Sequence, residues 1–251
     1  MKRIYLILIT GIVILIGCKT TNKTTETKQS AAEALLEKTI NAHGGNLYNS
    51  AHYQFNFRGN TYTFKNSDND YEYSVLKRKD GKEIYDHMSN QEFTRTIDGN
   101  SISLDDKEKT RYGGSLNSVI YFATLPHKLK DPSVNLSIRE EVSIKGQDYQ
   151  VLEVYFDEEG GGQDHEDVYY YWINKKSNLI DYLAYNFIVN KGGVRFRAAY
   201  NPRRVEGIIF QDYVNYKADV GTPLEKLPAL YENGKLTELS KIETEEVKAI
   251  K

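Results

Sequence analysis

The densest run of side chains able to do chemistry is GGGQDHED, residues 160–167. His165 and Asp167 stand two residues apart, which puts both side chains on one face wherever the backbone is extended, and Asp164 adjoins them in the loop. An imidazole among carboxylates suits Zn²⁺ or another divalent ion, and a purely acidic subset suits Ca²⁺. A metal-assisted hydrolase centred on this segment is therefore one reading; a polar contact to a ligand and a solvated glycine turn are the others. A divalent metal ion is the one cofactor these residues admit, with His165 and Asp167 as its candidate ligands. The sequence carries no HExxH, paired-cysteine or EF-hand pattern beside them, and no GxSxG motif to supply a nucleophile.

A second constellation is basic. Arg195 and Arg197 alternate with Val194 and Phe196, so on a strand both guanidinium groups share a face, with Tyr200 and Asn201 just beyond. Such a pair either holds the carboxylate or phosphate of a head group or pairs with Asp and Glu on neighbouring strands. His43, directly before Gly44-Gly45, either serves a helix end and its dipole or reaches the acidic loop. His127, between Pro126 and Lys128, is a candidate for the rim of a cavity. With 20 Tyr and 9 Phe against 1 Trp and 2 Met, the chain has rings for a concave amphiphile-binding wall, for which Tyr53, Phe55, Phe57, Tyr170 and Trp172 are the candidates. The same rings also suit ordinary strands with one packed and one half-wet face.

The elements that must position these residues follow from periodicity. Residues 31–45, AAEALLEKTINAHGG, read as a helix: Ser30 and Glu33 form a capping-box pattern, Leu36, Ile40 and His43 recur at helical spacing, and two glycines stop it. From Ala51 the period becomes two, with Tyr53, Phe55 and Phe57 alternating with polar residues, and turn signals such as Asp80-Gly81 and Asp98-Gly99 punctuate an antiparallel meander. Residues 116–132 break that rhythm with a short apolar helix, either a lid over a curved sheet or a crossover between two halves of the meander. Strands then resume. Residues 168–173 are apolar on both faces, which places that strand between two packed layers or between a layer and a ligand. The charged tail after Pro223 reads as extended with one short terminal helix.

The amino terminus sets the compartment. Lys2 and Arg3 precede an uncharged run, residues 4–17, too short to span a bilayer core comfortably, and the only cysteine, Cys18, follows at once. The sequence LIGC resembles a bacterial lipobox, with Ile16 where Ala or Ser is usual. That resemblance implies cleavage before Cys18 and lipid on its sulfur and new amino terminus, a membrane partner through a firm multiply acylated anchor. Residues 1–17 are then a lipoprotein signal peptide, residues 18–30 a lipidated Thr-rich tether and residues 31–251 a single domain. Lys19 stands where an Asp, in the familiar enterobacterial rule, favours inner-membrane retention, and that resemblance implies the outer membrane; the tether has no early acidic cluster of the sort linked to surface export, which favours the periplasmic face. A net charge of −2 with both signs mixed leaves no nucleic-acid footprint.

The order of elements resembles the outer-membrane lipoprotein carrier and sorting proteins. More narrowly, LLEKTINAHGG (35–45), GGQDHEDVYYYWINKKSNLIDYLAYNF (161–187) and GGVRFRAAYNPRRVEGIIFQDYVNY (192–216) are similar to an uncharacterised lipoprotein family allied to them. The resemblance implies a mainly β fold with helices: an amino-terminal helix, a curved antiparallel sheet curled into a half-open β-barrel, and a helical lid-like insertion over an apolar cavity. It also implies lipid or lipoprotein cargo. The leading reading is a tethered, non-catalytic binding protein for a lipid, acyl chain or other amphiphile; beside it stand the hydrolase and a structural or protein-binding envelope lipoprotein.

Overall fold

The computed structural model describes residues 29–67, 70–90, 92–159, 166–188 and 191–251. Helix α1 spans Ala31–His43 and begins as the capping box requires: the Glu33 backbone N–H donates to Ser30 Oγ, and the Ser30 N–H donates to the Glu33 carboxylate. Gly44 ends it at φ 149°, a backbone conformation that L side chains resist. The chain then enters a 3-10 turn, Gly45–Ser50, that lays Tyr48 into the interior.

Strands β1 (His52–Phe57), β2 (Asn60–Ser67), β3 (Asp70–Lys79), β4 (Lys82–Ser89), β5 (Glu92–Ile97) and β6 (Asn100–Ser101) form the predicted meander. Its Asp80-Gly81 and Asp98-Gly99 hairpins have positive φ at both residues, the I′ geometry whose twist matches the flanking strands. Tyr53, Phe55, Tyr62, Phe64, Tyr73 and Val75 turn one face inward. Helix α2 (Asp106–Ala123) lies on that face and buries Leu116 and Ile120 there. It starts ten residues before the expected apolar segment because Asp105 and Glu108 make a second capping box.

After a 3-10 turn at His127–Lys130, β7 (Val134–Ile138), β8 (Val142–Ile144), β9 (Gln147–Phe156), β10 (Tyr169–Asn174), β11 (Ile180–Phe187), β12 (Gly193–Val205) and β13 (Ile208–Ala218) build a second antiparallel sheet. Tyr169, Tyr171 and Ile173 of β10 pack with Leu36 and Ile40 of α1, while Trp172 packs on the other face with Leu224 and Leu227. This strand therefore lies between two packed layers. The tail differs from its expected course: helix α3 (Leu227–Glu232) comes first, then β14 (Thr237–Ile242) pairs with β13, and β15 (Glu245–Ala249) crosses back to pair with β1.

The expected single curved sheet, the half-open β-barrel, is corrected by this topology. The fold is mixed α/β with two separate antiparallel sheets, ordered β15-β1-β2-β3-β4-β5-β6 and β14-β13-β12-β11-β10-β9-β7, with β8 also on β9. The ladder stops at β6, which is two residues long, and α2 follows it. The next strand pairs within the second sheet, so no hydrogen-bonded ladder joins the two. Among the described residues the buried ones run from Ala32 to Thr244.

Candidate functional site: a cavity between the sheets

The second half of α2 roofs a cavity of about 200 Å³ between the sheets. Ser118 and Phe122, and Val119 and Ala123, are pairs four residues apart, so they form a stripe beside the Leu116–Ile120 ridge that grips the first sheet. Phe57 and Arg58 enter from the β1–β2 turn, Gln211 and Tyr213 from β13, and Ile242 and Thr244 from the crossing between β14 and β15. The lining is thus mixed, with apolar side chains from α2, β1 and β14 and polar groups concentrated on the β12–β13 side.

Two of those polar groups are Arg197 and Asn215, which face each other in register across β12 and β13. Arg197 is 8% exposed. Its guanidinium lies 3.9 Å from the centre of the Phe122 ring and donates from Nη2 to the Tyr185 hydroxyl at 3.1 Å, whereas Nε is buried without a hydrogen-bond partner. Among the described residues no carboxylate forms an ion pair with it. Asn215 Oδ1 is likewise buried without a partner.

Gln211 is held from behind the wall. Its Nε2 donates to the Ile180 carbonyl at 3.2 Å, which leaves Oε1 facing Nε2 of His43 at 3.1 Å. Nδ1 of His43 lies 2.9 Å from the Thr39 carbonyl. Burial pushes the His43 pKa below its ordinary value. A neutral ring has one N–H and can satisfy only one of these two acceptors. His43 thus sits in the last turn of α1 and braces the cavity wall through Gln211.

Of the sequence candidates, Phe57 and Arg197 lie at this cavity. Tyr53 and Phe55 pack in the core under α2, and Tyr170 and Trp172 lie on the α3 side of the second sheet, so the structure does not bring these four to one wall. Arg195 lies over the Phe187 ring at 4.8 Å and donates to the Val194 carbonyl. The Tyr200 hydroxyl donates to Glu243 at 2.7 Å. His127 stacks on Tyr48, with centroids 4.9 Å apart. Asp167 is buried and accepts from the Tyr169 hydroxyl at 3.5 Å. Asp164, His165 and Cys18 lie outside the described residues. Among the described residues no three His, Cys, Asp or Glu side chains converge as metal ligands, and no helix is long and apolar enough to cross a membrane.

Sequence reasoning missed Asn215, Gln211 and Tyr213, which carry no local motif. The four-residue repeat through 118–123 was a readable signal for the roof.

Comparison with known proteins adds family and fold. The family described as Family of unknown function (DUF6503) matches residues 10–244. The chain belongs to this family. No curated protein matches it. The crystal structure of a LolA superfamily protein from Nitrosomonas europaea shares the fold: TM-score 0.52, 10% identity, covering 89% of this chain and 95% of that one. A DUF1329 family protein from Desulfovibrio piger superposes more loosely, with TM-score 0.41, 12% identity and coverage of 88% and 94%. These likenesses are to backbone architecture; at such identities they assign no residue a role.

Proposed function

We propose that this DUF6503 family member is a non-catalytic binding protein of the cell envelope, tethered through lipid on Cys18, that takes the apolar part of an amphiphile into the cavity between its sheets. The observation that carries the reading is the cavity itself, walled by Phe57, Val119, Phe122, Ala123, Tyr213 and Ile242. The fold shared with a LolA superfamily protein supports it. Each methylene moved from water into such a space gains about 0.8 kcal/mol, so even a short acyl segment binds usefully. At about 200 Å³ the cavity is below the range of roughly 300–1,000 Å³ typical of drug-sized ligands, so it suits an acyl segment better than a whole lipid. The tether of residues 18–30 reaches at most about 45 Å when extended, which keeps the cavity close to the membrane surface.

The test is native mass spectrometry of the purified protein with organic extraction, joined to uptake of the neutral fluorophore N-phenyl-1-naphthylamine. We expect an extractable apolar adduct or uptake of the fluorophore, and loss of uptake in Val119→Trp, which fills the space beneath α2. Folded wild-type protein that carries no adduct and takes up no fluorophore would overturn the reading.

A further inference from the structure

The polar side of the cavity specifies more than an apolar tail. Arg197 is permanently charged, more than nine-tenths buried and at the wall of the cavity, yet it has no carboxylate partner among the described residues. Elsewhere this protein does neutralise buried charge: Asp86 is fully buried between Arg95 at 2.5 Å and Lys77 at 2.7 Å, and Asp212 is paired with Arg203 at 3.1 Å. Against that pattern Arg197 stands apart. Burying an uncompensated charge is costly, and a protein that sustains one at the wall of a cavity has a site for the opposite charge there.

The surroundings of Arg197 hold it in place without neutralising it. The Phe122 ring covers its face and the Tyr185 hydroxyl occupies Nη2, which leaves the Nε–H edge unspent. That edge is part of the fork with which guanidinium grips a carboxylate or phosphate. Directly across the strand pair, Asn215 presents an unpartnered carboxamide oxygen, and that amide can meet a ligand hydroxyl or N–H beside the anion. Phe122 belongs at once to the helical roof and to the cation's cover, so the apolar and charged halves of the site adjoin.

We infer that the ligand of this cavity is an anionic amphiphile, its carboxylate or phosphate seated on Arg197 with Asn215 as a neighbouring hydrogen-bonding point. This rests on the reading of the cavity as an amphiphile site and adds the charge of the head group. Arg197 is accordingly a specificity-determining residue: it discriminates between heads on the same tail.

The experiment is displacement of N-phenyl-1-naphthylamine from the purified protein at neutral pH by four ligands with one tail: octanoate, octyl phosphate, 1-octanol and octylammonium. We expect at least one anion to displace the fluorophore at about ten-fold lower concentration than 1-octanol, with octylammonium weakest. The stronger of the two anions identifies the head group. Arg197→Gln is expected to bring the anions to the level that 1-octanol reaches on the same variant, and Arg197→Lys to keep part of the preference. Equal displacement by anions and 1-octanol in the parent, or an anion preference that survives Arg197→Gln, overturns the charge assignment and leaves the cavity reading standing. Absence of fluorophore uptake in the parent sinks the cavity reading itself. A structural role for the guanidinium is checked separately: because the charge lacks a counter-ion, Arg197→Met should melt no lower than the parent without ligand, and a melting temperature lower by several degrees would show that the charge serves the fold.

Discussion

His127 sits face to face with Tyr48, its ring inclined only 10° to the phenol. Burial, with help from Lys128 and Lys130, holds its pKa down to about 4, against an ordinary value of 6.5. Between those values the denatured chain binds a proton that the native ring refuses, so the stability present above pH 6.5 is lost as pH falls towards 4. His43 is pushed in the same direction by its own burial. Asp131 beside Lys128 opposes them, because burial raises its pKa and the native state then holds its proton more firmly as acid is added. Comparison with His127→Phe isolates the histidine, since the aromatic stack is kept and Asp131 is common to both proteins. In urea denaturation at pH 7.5 and pH 5 we expect the parent to lose about 1 kcal/mol more than the variant, a figure that allows for solvent screening of a half-buried ring. Equal losses would show that the native ring takes up its proton as readily as the denatured one. Nothing in the sequence around His127 announced this stack, because Tyr48 is distant along the chain and is delivered by the turn after α1.

At the scale of elements, α2 shows how an end can decide a helix. Only Gly113, Leu116 and Ile120 of its residues are buried, so its first turns are fixed by Asp105 and Glu108 more than by packing. Asp105→Ala is expected to cost about 1 kcal/mol and to speed amide exchange in the first turn. Fluorophore affinity should hardly change, because the roof residues 118–123 lie three turns further on. A large loss of affinity instead would mean that α2 moves as one rigid lever. The same arithmetic explains what was legible. Helix α1 and strands β1 to β5 announce themselves because capping box, period-two rings and Asp-Gly turns agree. The start of α2 was hidden, since DKEKTRYGGS has no apolar face and its paired glycines read as breakers. In the structure a Cβ at Gly113 would meet the Phe93 ring at 3.5 Å, an ordinary contact, and nothing lies within 4 Å of one at Gly114, so neither glycine is demanded by the packing and the helix runs through both. Strands β14 and β15 were also hidden, because they are edge strands with mostly exposed side chains and no clean alternation.

For the whole molecule, the decisive feature is how two sheets are kept together when no ladder joins them. Periodicity records which residues face inward but not which strand edges meet, so it held nothing against the single curved sheet that the resemblance implied. Ile208 and Phe210 of β13 pack into the core of the first sheet, and side chains at the crossing from β14 to β15 add a polar clasp. Asp212, 3% exposed, accepts from Asn201 at 2.7 Å and from the Thr244 N–H at 3.0 Å, and pairs with Arg203, which also donates to the Thr244 carbonyl. Tyr200 adds its bond to Glu243. These groups fasten the crossing to the irregular stretch of β12 between Tyr200 and Arg203, and they thereby fix Ile242 and Thr244 in the cavity wall. Asp212→Ala leaves the half-buried Arg203 guanidinium without its carboxylate and the buried Thr244 N–H without its acceptor, so it should cost about 2–3 kcal/mol, whereas Tyr200→Phe, which removes one outer bond, should cost about 1 kcal/mol or less. Thermal melts of the two variants, read beside fluorophore uptake well below either transition, separate two designs. Weakened uptake in folded Asp212→Ala would mean that the clasp shapes the cavity as well as stabilising the fold. A variant that melts like the parent would show that the hydrophobic cores alone hold the sheets in register, with the buried aspartate network contributing only local order.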